Sequence, residues 1–272
     1  MALTGTDTVR AALPRQIAVT VSFVVCVVGS MVGVGLFGGT PISEAADGLL
    51  STEATHLAPA SPAFSVWTVI YIGLGAYTLW QWWDRSDRRS IGWLVTGSLL
   101  LNAAWILTVQ AGLVWLSVVV ILVLLVVLAA TFRQLLSARP RSRLEAVVAD
   151  GTLGLYLGWV CVATCANIAA ALAGSGVTGG GYPDWWAAAV LAVVAVIGVA
   201  VAVTGRGRFA VAATLAWGLV WIAVARTTGE PESAPTAVAA AVAAGVVVIS
   251  AVVCRLRAER IKSSPKRATE SR

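Results

Sequence analysis

Asparagine is costly inside lipid, and two asparagines of this chain lie within long apolar runs. Asn102 belongs to Leu101-Asn102-Ala103-Ala104-Trp105. Asn167 ends Tyr156-Leu157-Gly158-Trp159-Val160-Cys161-Val162-Ala163-Thr164-Cys165-Ala166-Asn167. An amide in such a place needs a hydrogen-bonding partner. A third block, Phe64-Ser65-Val66-Trp67-Thr68-Val69-Ile70-Tyr71, puts Trp67 and Tyr71 four apart on one helical face. Trp159, Ala163 and Asn167 share another face, with Tyr156 one turn before Trp159. Turned toward a bundle interior, these stripes would line an aromatic, weakly polar cavity. Such a cavity suits a flat hydrophobic ligand with polar edges. The same residues also suit ordinary packing, with Asn as interhelical glue and the pairs Gly29/Gly33 and Gly154/Gly158 permitting close approach.

Other candidate chemistry is sparse. His56 is the one histidine, in a loop with Glu44, Asp47 and Glu53, and is expected to be solvated rather than a metal ligand. Cys26, Cys161, Cys165 and Cys254 lack the paired loop spacing of a zinc site and are expected as small buried residues. The loop with Gly174, Gly176, Gly179, Gly180 and Gly181 lacks the GK[ST] ending of a phosphate cradle and reads as a connector. Asp150, with Glu145 nearby, is the acid–base candidate for an intramembrane enzyme. Both lie at a helix end rather than at a shared deep site. Pairing of Asp150 with Arg143 is the expectation, and enzymatic activity is not.

The elements that must position these residues follow from composition. The chain is 58% apolar and 12% charged, with a mean hydropathy of +0.86. Soluble domains are about half apolar and a quarter charged. Lipid is the natural solvent for such a chain. Eight apolar runs are expected to span: Gln16 to Phe37, Ala63 to Trp83, Ile91 to Gln110, Leu113 to Leu136, Ala146 to Ala173, Trp186 to Thr204, Phe209 to Ala225 and Thr236 to Cys254. The first is too long for a signal-peptide core, so cleavage near Glu44 is not expected. With the N-terminus in the cytoplasm, 18 of the 19 basic residues fall inside, leaving only Arg226 outside. A multi-pass cell-membrane protein with both termini cytoplasmic is the expected placement. The net charge of +6 is therefore an orienting charge, and nucleic acid is not an expected partner. Trp82, Trp83, Trp93, Trp185 and Trp186 read as interfacial anchors.

The three blocks, in this order, resemble the translocator protein family, also called tryptophan-rich sensory proteins or peripheral benzodiazepine receptors. The family's V-W-T-x-x-Y-x-x-M-G reads here Val66-Trp67-Thr68-Val69-Ile70-Tyr71-Ile72-Gly73-Leu74-Gly75. Its L-N-x-x-W is Leu101 to Trp105. Its P-Y-x-x-W-V-x-F-A-x-x-L-N is matched at Tyr156, Trp159, Val160, Ala163 and Asn167, with Leu155, Val162 and Ala166 departing. The family's W-x-F ahead of V-W has no Trp here, the stretch being Ser61-Pro62-Ala63-Phe64.

The resemblance implies an all-α, polytopic membrane helix bundle: a five-helix translocator-like core over residues 16–173 plus about three C-terminal transmembrane helices over 186–254. An N-terminal tail (1–15), a Gly-rich outer loop (174–185) and a basic tail (255–272), expected to be disordered along anionic lipid, complete the organisation. It further implies binding of a porphyrin or sterol-like lipophile, for sensing, regulation or transport. Trp67, Tyr71, Asn102, Trp105, Tyr156, Trp159, Ala163 and Asn167 would contribute to the pocket. No cofactor is required, with porphyrin or haem entering as ligand. Membrane lipid and the hydrophobic ligand are the expected partners, and a second copy of the chain is another, since the family often dimerises. The added C-terminal helices keep a small-solute secondary transporter open as the alternative.

Overall fold

The computed structural model describes residues 5–42, 44–84, 86–177 and 179–263. Arg85 and the tail from residue 264, both part of the charge pattern above, lie outside the described residues. Among the described residues, eight helices are long and apolar enough to cross a membrane. They are α1 (Gly5–Gly33), α2 (Val66–Trp80, which spans together with the turn Ser61–Ser65 before it), α3 (Gly92–Gln110), α4 (Val114–Ser137), α5 (Arg143–Gly174), α6 (Pro183–Thr204), α7 (Phe209–Thr228) and α8 (Ala234–Ser263).

The ends of the helices differ from the expected spans where local chemistry extends or cuts them. A short 3₁₀ turn, Ser61–Ser65, leads into α2. Helix α6 starts at Pro183 instead of Trp186, with Asp184 in its first turn. Proline loses nothing at a first helical position, and an acid there complements the helix dipole. Helix α8 continues past Cys254 to Ser263, so residues 255–263 are helical where a disordered tail is expected. Arg255 and Glu259 pair one turn apart there, at 2.6 Å, which supports helix outside lipid.

In the first five helices, α1 packs on α3, α3 on α4, α4 on α5, and α2 closes the bundle against α5 and α1. A Cβ on Gly29 would lie 3.4 Å from Ala103, and one on Gly33 would lie 3.1 Å from Ile106, so α1 and α3 are nearly in backbone contact. The last three helices form a second apolar cluster in which α8 lies against both α6 and α7. Helix α7 joins the two clusters by packing along α5. There a Cβ on Gly158 would sit 2.3 Å from Thr214 Oγ1 and from the Val211 carbonyl. Thr214 Oγ1 donates to the Leu155 carbonyl at 2.7 Å. Between apolar helices in lipid, such close approach and hydrogen bonding supply the association that water would otherwise drive.

The connections after α2, α4 and α6 gather at one end with the charges. Arg89 is buried and reaches Glu145 and Asp150, each at 2.8 Å. Arg208 also pairs with Asp150 and donates to the Leu135 carbonyl. Arg15 pairs with Asp87 at 3.1 Å. Asp150 therefore does not pair with Arg143, which is exposed. A π-helical turn over Ala146–Gly151 carries Asp150 between its two arginines. The spacing along α5 alone does not reveal this, because both partners come from connections distant in the chain, Arg89 before α3 and Arg208 before α7.

Candidate functional site

At the opposite end, a cavity lies beneath the connection between α1 and α2. Its floor is Phe64, Trp105, Trp159, Ala163, Ala166 and Asn167, from the 3₁₀ turn before α2 and from α3 and α5. Its roof is the loop, through Ile42, Leu49, Leu50, Ser51, Thr55, Ala58 and Pro59. The volume is about 40 Å³, room for a few water molecules. The loop thus covers the cavity as a lid. It is no solvated strand of polar residues, since Ala45, Leu57 and Ala58 are buried.

Four of the eight expected pocket residues, Trp105, Trp159, Ala163 and Asn167, line this cavity. The other four, Trp67, Tyr71, Asn102 and Tyr156, lie in a packed layer beside it. Trp67 stacks on Tyr71 with ring centres 5.3 Å apart and meets Trp159 edge-on at 6.2 Å. Asn102 Nδ2 donates to the Tyr156 hydroxyl at 2.9 Å, and Asn102 Oδ1 accepts from Tyr71 at 3.1 Å. The thiol of Cys26 reaches the same oxygen at 3.6 Å. Asn167 Oδ1 accepts from Trp105 Nε1 at 2.8 Å, while its Nδ2 donates to Ser117 at 3.0 Å. Both amides are thereby satisfied by residues of neighbouring helices, as burial away from water requires.

Trp159 is the exception. It is 1% exposed, and among the described residues its Nε1–H has no partner. The Thr55 hydroxyl of the lid is likewise buried without one. A buried donor left unpaired costs about 1–3 kcal/mol. Two such groups at one small cavity favour an occupant with hydrogen-bonding atoms on an otherwise apolar frame.

The lid residues escape sequence reading because their spacing is irregular. One signal does exist: Leu49-Leu50 and Leu57-Ala58 are apolar pairs inside a loop that also carries charges. His56 is not free in solvent as expected. Its Nε2 lies 3.0 Å from Asp184 Oδ1, tying the lid to the start of α6.

A family model described as TSPO-like protein matches residues 16–253. The chain belongs to the TSPO-like protein family. The match runs through α6, α7 and α8, beyond the stretch from Gln16 to Ala173 that carries the three blocks. No curated protein and no solved structure gives a match. Family and spans together make the chain a multi-pass integral membrane protein. Within this TSPO-like protein, Phe64 is the residue of the incomplete W-x-F stretch that reaches the cavity, meeting Trp159 edge-on at 5.7 Å.

Proposed function

We propose that this protein binds a flat hydrophobic molecule, a porphyrin or a sterol-like lipophile, in the cavity between α3, α5 and the α1–α2 lid, for sensing, regulation or transport. The observation that carries the reading is the unpaired indole N–H of Trp159 at an aromatic cavity. Aromatic faces offer stacking to a macrocycle, and the indole N–H offers a donor to a carbonyl or carboxylate on its edge. Among the described residues the lining contains no His, Cys, Met or Tyr that could ligate iron, so metal-free porphyrin suits it better than haem. The closed cavity is much smaller than a macrocycle, so binding requires the lid to lift. The charge distribution supports a cell-membrane orientation with both termini and the arginine-rich end in the cytoplasm. The lid and cavity then face outward.

The test is titration of the purified protein in detergent with protoporphyrin, read by tryptophan quenching. Saturable quenching is expected, with Trp159→Phe weakening affinity about five- to tenfold through loss of one hydrogen bond. Quenching without saturation, or binding indifferent to Trp159→Phe, would remove this reading.

A further inference from the structure

The start of the connection is tied to α3 through Thr40 and Gln110, but its later part is held by helices that contribute nothing to the floor of the cavity. Arg226, near the end of α7, is 2% exposed. Its Nη2 donates to the Thr52 carbonyl of the lid at 2.8 Å, and its Nη1 donates to the Pro231 carbonyl at 3.0 Å. Among the described residues no carboxylate forms an ion pair with it, and its Nε is buried without a partner. A guanidinium kept inside the protein on two carbonyls forms strong, charge-assisted bonds that are expensive to break. Thr52 lies between Ser51 and Thr55 of the cavity roof.

Four further contacts lead to the same helices. The Ala60 N–H donates to the Trp221 carbonyl at 3.2 Å, and Trp217 Nε1 donates to the Ala63 carbonyl at 3.0 Å. Leu57, in the middle of the lid, is buried in the apolar cluster of α6, α7 and α8. His56 meets Asp184 of α6. The lid therefore has the cavity on one side and the C-terminal helices on the other.

We propose that α6, α7 and α8 form a clamp that holds the lid over the ligand cavity, with Arg226 as the residue that positions it. This rests on the cavity being the ligand site, but the clamp is measurable without a ligand. Arg226 touches no ligand in this scheme. It sets how often the lid opens, and hence how fast a ligand enters and leaves.

The experiment is hydrogen–deuterium exchange of the full-length protein in detergent without ligand, followed by stopped-flow quenching with protoporphyrin. Arg226→Ala is expected to speed exchange of the amides from residue 46 to 60 on the order of tenfold. Exchange in α3 and α4 should stay unchanged. Protoporphyrin association should accelerate, and Arg226→Lys should restore part of the protection. Lid exchange equal to wild type in a folded Arg226→Ala protein overturns the clamp. Should that variant fail to fold, Trp217→Phe removes the bond to Ala63 and keeps an aromatic ring against Trp221. It is expected to loosen residues 58–65 by a smaller factor, and unchanged exchange there overturns the proposal equally. A loosened lid in a protein that does not bind protoporphyrin would leave the clamp standing and remove the ligand assignment. The converse pattern would do the reverse.

Discussion

Asn102 and Asn167 lie one in each of two hydrogen-bonded sets. Asn102 joins α3 to α2 and α5 through two tyrosines. Asn167 joins α5 to α3 and α4 through Trp105 and Ser117. In the Asn167 set the interhelical-glue reading and the cavity reading meet, because Asn167 and Trp105 bond each other while lining the cavity, whereas the Asn102 set is packing beside it. His56 is the residue whose ionisation matters outside the membrane. Burial is the main influence on its imidazole and pushes its pKa below the ordinary value of 6.5. Asp184 pulls it back up, and Arg226 pushes it further down. The neutral ring therefore donates its Nε2–H to Asp184. Since the folded-state pKa is depressed, acid favours the unfolded form. The stabilising contribution is complete above about pH 6.5 and is lost as pH falls through the lower, folded value. Wild type is expected to lose more melting temperature than His56→Gln between about pH 7 and pH 5. Equal losses in the two proteins would show that His56 is not the titrating group.

At the scale of elements, α5 does the most. Its start carries Glu145 and, on the π-helical turn, Asp150. Its middle supplies the cavity floor, and a neighbouring face, through Gly154, Gly158 and Val162, receives α7. Single-turn π segments recur at functional positions in helices. Here the turn places a carboxylate between Arg89 and Arg208, from either side of the junction between the two helix clusters. Gly158 is where α5 and α7 approach most closely. A methyl group there would press on the Val211 carbonyl, which is backbone and cannot swing aside. Gly158→Ala is expected to destabilise the protein by about 1–3 kcal/mol, read as a lower melting temperature in detergent. Gly245→Ala in α8 is the control. An added Cβ there meets nothing within 4 Å, and alanine is the better helix former. Equal effects of the two substitutions would mean that α5 and α7 do not pack as described.

At the scale of the whole molecule, one end of the bundle holds the ion pairs and the other holds the cavity and its lid. Alternation of eight crossings puts the connections after α2, α4 and α6 together, which is where Arg89, Arg139 and Arg208 lie. Single cysteines introduced at Arg139 and at Gly179, in a background without the four native thiols, should be labelled from opposite sides of the membrane. Arg139 should share its side with both termini. Labelling of both positions from one side would break the eight-span topology. Trp82, Trp83, Trp93, Trp185 and Trp186 are all exposed near helix ends, as interfacial anchors should be.

The sequence alone determined the solvent, the number of crossings and the inward residues. Length and hydropathy are local properties, and helical periodicity tells which side chains share a face. For the same reason Asn102, Trp105, Tyr156, Trp159 and Asn167 could be read as interior positions, and all five are buried. Only the tertiary structure decided which helix meets which. Arg226 finds Thr52 across 174 residues, and Arg208 finds Asp150 across 58. It also decided that an irregular loop roofs the cavity and that the C-terminal helices hold that loop. Such pairings depend on close packing between faces distant in the chain, and no periodicity within a single segment encodes them.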